Sequence, residues 1–303
     1  MSTVTTAPPE AALGSHTSAA KEAFFAAPLE MIPTRDAVVA LRRFGQGPAL
    51  MLVHGFPLHG FTWRYLLPAL SRHFTCYVPD LAGLGATEWR ERTDFGFHGQ
   101  ARRLHEVADA LGLQSYGLLA QDTGATIARC LALRDPRVNR LVMFNTEIPG
   151  HRPPWIQEYQ LLMRLPGSKL AFRALLESRR FLRSPMAFGG CFADLSLIDG
   201  DFHEQFVQPL LNLHSLQGIA RYLIEADWDV VDRFAREHAR LQFPVLMIWG
   251  RDDPTFPVGR ARIMEDQFPD CRGLVEIPNA KLLVHEEQPE AVMAAMLPFL
   301  QGR

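Results

Sequence analysis

The chain alternates between short, wholly apolar runs and longer stretches in which apolar positions recur every three or four residues. Ala37–Phe44 reads as a strand, and Ala49–Val53 is apolar until it stops at His54-Gly55-Phe56-Pro57. Phe74–Val78 stops at Pro79-Asp80, Tyr116–Ala120 at Gln121-Asp122, and Arg140–Phe144 at Asn145-Thr146-Glu147. Helical spacing fills the intervals at Trp63–Leu70, Gly99–Leu111 and Thr126–Leu133. Strands apolar on both faces and joined by helices predict an α/β fold with a mostly parallel, doubly wound sheet. The rhythm returns at Pro244–Trp249, at Gly273–Ile277 and in a closing helix, Glu290–Leu300.

Between about 150 and 240 the strand-like runs vanish. That stretch is helical in composition, broken at Pro153-Pro154, Pro166-Gly167, Ser184-Pro185 and Gly189-Gly190. It predicts a helical lid inserted between two strands, over the carboxyl ends of the sheet, where open α/β sheets bind ligands. The expected division is a flexible tail over 1–22, a core over 23–149, the lid over 150–240 and the remaining core over 241–303. The tail reading rests on small residues that cannot bury a core.

Composition narrows the partners. Lys plus Arg total 31 against 33 Asp plus Glu, a net charge of −2, so the basic excess of a phosphate-neutralising nucleic-acid binder is absent. No run of about 18 apolar residues occurs, and no membrane partner is expected. Cys76, Cys130, Cys191 and Cys271 are scattered without a C-x-x-C, which suggests neither a zinc site nor a disulfide framework. Free thiols and no secretory signal fit a cytoplasmic location. Gly83-Leu84-Gly85 lacks the third glycine of a dinucleotide fingerprint, and no cofactor or metal is expected. The partners that remain are a small apolar organic substrate and water, with a homodimer left open.

The chemistry gathers at Gly117-Leu118-Leu119-Ala120-Gln121-Asp122-Thr123-Gly124-Ala125-Thr126. Ala120, Gly124 and Ala125 flank Asp122 at the spacing of a nucleophile elbow, where strand and helix nearly touch. A plain helix N-cap is the alternative for Asp122. The loop after Val53 can present the backbone N–H of Phe56 to an oxyanion, with that of Thr123 as its partner. His54 is expected to hold that loop by hydrogen bonds.

With Asp80–Thr87, Trp249-Gly250-Arg251-Asp252-Asp253 and Glu287-Gln288-Pro289-Glu290 added, the chain resembles the α/β-hydrolase fold over about residues 35–300. It resembles the branch with an aspartate nucleophile: epoxide hydrolases and haloalkane dehalogenases. The resemblance implies that Asp122 attacks carbon to form an alkyl-enzyme ester, which water activated by a His–acid pair then hydrolyses. The acid maps onto Asp253, with Asp252 beside it and Glu147 as an alternative. The lid tyrosines that would protonate an opening epoxide map onto Tyr222, which precedes Asp253 by 31 residues, and onto Tyr159, with Trp155 nearby.

The match breaks at the histidine. Counting back from Glu287, its position falls on Leu282, and the nearest histidine is His285. His285 is expected to replace the base through a shifted loop; another group such as His54 is the alternative, and so is a reaction without ester hydrolysis. The Trp and Asn that hold halide in dehalogenases are here Thr123 and Phe56. The implied activity is thus the opening of a small apolar epoxide. Carbon–halogen or ester/lactone hydrolysis comes second. A non-hydrolytic cyclase, ligand-binding protein or inactive relative is the other class.

Overall fold

The computed structural model describes residues 10–302, with side chains from residue 18 onward. One sheet holds β1 Leu29–Pro33, β2 Ala37–Phe44, β3 Ala49–Val53, β4 Thr75–Pro79, β5 Glu88–Trp89, β6 Tyr116–Gln121, β7 Val138–Phe144, β8 Val245–Gly250 and β9 Cys271–Ile277. Their order is β1-β2-β4-β3-β6-β7-β8-β9, with β5 on β2. From β4 to β9 that path is parallel. The pairs at the β1–β2 end are antiparallel.

Every residue of β6 and β8 is buried, which is why both read as unbroken apolar runs. In register, Val53 lies beside Ala120 and Ala120 beside Met143. The central strands therefore end together, and the loops after β3, β6, β7 and β8 leave from one edge. The pattern did not reveal β1 or β5. β1 alternates exposed and half-buried positions at the sheet margin, and β5 has two residues, too few for a periodic signal.

The expected tail over 1–22 is corrected from residue 10 onward, because Glu10–Ala26 is a helix. Phe24 is buried and meets Phe44 and Phe61 with ring centroids 5.7 and 5.3 Å away. Lys21 Nζ reaches Asp201 at 3.1 Å and Glu204 at 2.6 Å. Residues 1–9 of the expected tail lie outside the described residues.

Between β7 and β8 the described chain is helical. It contains Ile156–Arg164, Ser168–Leu176, Leu213–Glu225 and Trp228–Glu237, linked by short helical turns. This insertion shares one core with the sheet: Phe206 packs on Phe61 at 5.8 Å, and Phe202 lies 4.9 Å from both Phe192 and Phe206. Among the described residues no helix is long and apolar enough to cross a membrane.

Candidate active site

β6 ends at Gln121 and a helix starts at Thr123, so Asp122 makes the whole bend. Its backbone sits at φ 51°, ψ −137°, a region that L residues avoid at a cost on the order of 1–3 kcal/mol. The bend drives the helix onto the loop after β3. A Cβ on Gly124 would lie 2.2 Å from the His54 carbonyl oxygen, so no larger residue fits unless backbone moves. Asp122 makes no side-chain cap on its helix. Its Oδ2 accepts the Phe56 N–H at 2.9 Å, and the Thr123 N–H also acts on the carboxylate.

His54 builds that loop. Its Nε2 accepts the Leu81 N–H at 2.9 Å, and its Nδ1 donates to the Gly55 carbonyl at 3.0 Å. Burial pushes its pKa down to about 4, so the ring is neutral. His54 does not line the cavity above Asp122.

That cavity, of about 340 Å³, is walled by Phe56, Trp155, Tyr159, Tyr222, Trp228 and Leu282 among other apolar groups. Its two carboxylates are Asp122 and Glu147. A hollow of similar size, about 350 Å³, lies at the opposite edge of the sheet, but no acid lines it. Tyr222 is buried over the bend, donates its hydroxyl to Thr123 Oγ1 at 2.9 Å and stacks on Phe56 at 5.1 Å. Burial pushes its pKa up, so it stays a proton donor at neutral pH. Tyr159 also lines the cavity and donates to the Met186 carbonyl. Trp155 stands at the mouth, 44% exposed.

The floor of the cavity is acidic and buried. Burial first, then repulsion from Glu147, raises the Asp122 pKa well above the ordinary carboxylate range, against the pull of the Phe56 and Thr123 N–H groups. Burial raises Glu147 too, although its Oε2 accepts from the Thr126 and Thr146 hydroxyls at 2.7 and 2.9 Å. Arg129 lies behind them, fully buried. It donates to Thr126 Oγ1, Thr146 Oγ1 and the Glu147 carbonyl at 2.9, 3.0 and 2.9 Å. Burial lowers its pKa only to about 10, so it keeps its charge.

The two adjacent aspartates part company. Asp253 is 4% exposed, accepts from Asn145 Nδ2 at 2.7 Å and from the Thr255 N–H at 2.8 Å, and is pushed up to about 7 by burial. Asp252 is exposed and accepts the Asn279 N–H.

His285 is not brought to this site, which corrects the expectation of a replacement base. Leu282 lines the cavity, whereas the His285 ring packs between Trp63 and Phe144 at 5.0 and 5.7 Å. The Thr62 hydroxyl donates to Glu286 at 2.8 Å and lies 2.7 Å from His285 Nε2, so that nitrogen is the donor. Nδ1 has no partner among the described residues, and burial lowers the ring to about 3. Three residues of backbone turn this ring toward the core.

Several supporting residues were not recognised in the sequence. Gln121 Oε1 accepts the Gly55 N–H at 3.2 Å, and Asn145 ties β7 to Asp253 and to the Gly250 N–H. The signal was present in Asn145-Thr146-Glu147, a polar run at the carboxyl end of a buried strand.

The alpha/beta hydrolase fold family model matches residues 48–289. Haloalkane dehalogenase 2 of Mycobacterium tuberculosis is 32% identical over 259 residues, covering 84% of this chain and 88% of the relative. The soluble epoxide hydrolase of Corynebacterium sp. (strain C12) is 33% identical over 106 residues, covering 35% of this chain and 37% of the relative. Among solved structures, the epoxide hydrolase CorEH superposes with a TM-score of 0.74 at 19% identity, over 90% of this chain and 99% of that one.

Proposed function

Because the chain belongs to the alpha/beta hydrolase fold family, we propose that it is a hydrolase that opens small apolar epoxides with Asp122 as nucleophile. The observation that carries this is Asp122 on a strained bend, its carboxylate held by the Phe56 N–H, beneath Tyr222 in an apolar cavity. The ionised form of Asp122, which the Phe56 and Thr123 N–H groups favour against burial, attacks a ring carbon, the C–O bond breaks, and the Tyr222 proton goes to the departing oxygen. The product is an alkyl ester on Asp122. Water then adds to the ester carbonyl, and the N–H groups of Phe56 and Thr123 hold the oxyanion. Breaking the acyl C–O bond releases the diol, whose oxygen takes the proton first removed from water, and the proton left on Asp122 passes back to the Tyr222 oxygen. Glu147, the other carboxylate lining the cavity, takes the proton of the attacking water, since Leu282 stands where the resemblance puts histidine.

Intact-protein mass spectrometry after incubation with a small epoxide tests the reading. A mass gain equal to the epoxide, transient or lasting, is expected for the wild-type chain and not for Asp122→Asn. No adduct and no diol would sink it.

Carbon–halogen cleavage is the second reading, favoured by the dehalogenase relative that spans most of the chain. Against it, Thr123 and Phe56 stand where the resemblance puts the Trp and Asn that hold halide in dehalogenases. Halide release from a haloalkane faster than diol formation from the epoxide would reverse the order.

A further inference from the structure

The insertion carries a surface feature that epoxide opening does not use. Its first two helices, Ile156–Arg164 and Ser168–Leu176, are joined through Pro166-Gly167. Met163 and Leu176 are buried on the inner side, whereas Leu161, Leu165, Leu170 and Leu175 face solvent, Leu161 and Leu170 at 65% and 60% exposure. Residues 151–186 hold seven Lys or Arg against two Glu, in a chain whose net charge is −2. Arg152, Arg173 and Arg183 pair with acids. Arg164, Lys169, Arg179 and Arg180 are exposed, and no ion pair among the described residues neutralises them. Trp155 and Met186, both exposed, border the cavity on the same insertion.

Exposed leucines interleaved with free cations fit an anionic lipid surface. A second copy docking through this patch by a two-fold axis would set like charges against each other. A purely apolar protein partner would leave the cations unpaired. We propose that the Ile156–Leu176 hairpin seats on an anionic bilayer surface, with its leucines in the acyl boundary and its cations on the headgroup phosphates. An apolar substrate then passes from the bilayer to the cavity mouth. The sequence expectation of no membrane partner came from the lack of a spanning run, and interfacial seating needs none.

Flotation of the full chain with vesicles tests this without reference to activity. The protein is expected to float with phosphatidylcholine vesicles containing phosphatidylglycerol, to stay behind with phosphatidylcholine alone, and to be released by raised salt. Arg164→Glu and Lys169→Glu should each weaken binding by at least about fivefold. Leu161→Ser with Leu165→Ser should do the same while the melting temperature is kept. Flotation that ignores lipid charge, no flotation, or variants that bind as wild type would each overturn the proposal. So would a dimer in sedimentation equilibrium that the leucine substitutions dissociate. The lipid and salt dependence of the wild-type chain stands even if a variant fails to fold.

Discussion

At the residue scale, what Asp122 can do is set by its neighbours. Leu282 and Asp253 place an apolar group and a partly protonated acid where the resemblance implies a His–acid pair. Leu282→His is therefore expected to speed loss of the Asp122 adduct at least tenfold at neutral pH, read as the decay of the mass-shifted species. Tyr222→Phe removes a proton donor and should slow adduct formation from an epoxide by about 10²-fold, while leaving formation from a haloalkane within a few-fold. The bend at Asp122 was legible because an elbow imposes small residues at fixed spacing, and the Phe56 N–H contact because its loop follows an unbroken apolar run. His285 misled because a motif count locates a residue along the chain but says nothing of which way its ring turns. Its neighbours Thr62, Trp63 and Glu286 are distant in sequence or unremarkable in it.

At the scale of elements, legibility followed burial. β3, β6, β7 and β8 lie in the middle of the sheet and show as apolar runs. β1 and β5 sit at its margin and did not. The first helix was missed for another reason: its docking rests on a few contacts around Phe24 and Lys21 rather than on a periodic apolar stripe. Phe24→Ala should cost about 3 kcal/mol if that helix unfolds with the rest. Urea denaturation followed by tryptophan fluorescence measures the loss. A separate early transition would show instead that the helix is an independent unit.

At the scale of the whole molecule, the buried acids and histidines tilt stability in opposite directions with pH. Asp253 titrates at 3.8 when unconstrained and at about 7 in the folded chain. Between those values the folded state holds a proton that the unfolded state has lost. Its contribution is therefore full below about 4 and lost as pH rises through about 7. His54 and His285 fall from 6.5 to about 4 and about 3, so their contribution is present above 6.5 and lost as pH falls through the folded values. Asp253→Asn removes only the first effect. Relative to wild type, that variant should gain unfolding free energy between about pH 4 and 7 and level off above, as measured by urea melts at each pH. A flat difference would place the Asp253 proton elsewhere.

Leu282 has a further consequence for timekeeping. On the epoxide-opening reading, a side chain with no lone pair facing the cavity would make release of Asp122 the slow step and its capture the fast one. The first moments of reaction would then consume one equivalent of epoxide per chain, a stoichiometric burst that counts working molecules. The slope that follows would report how long each stays occupied.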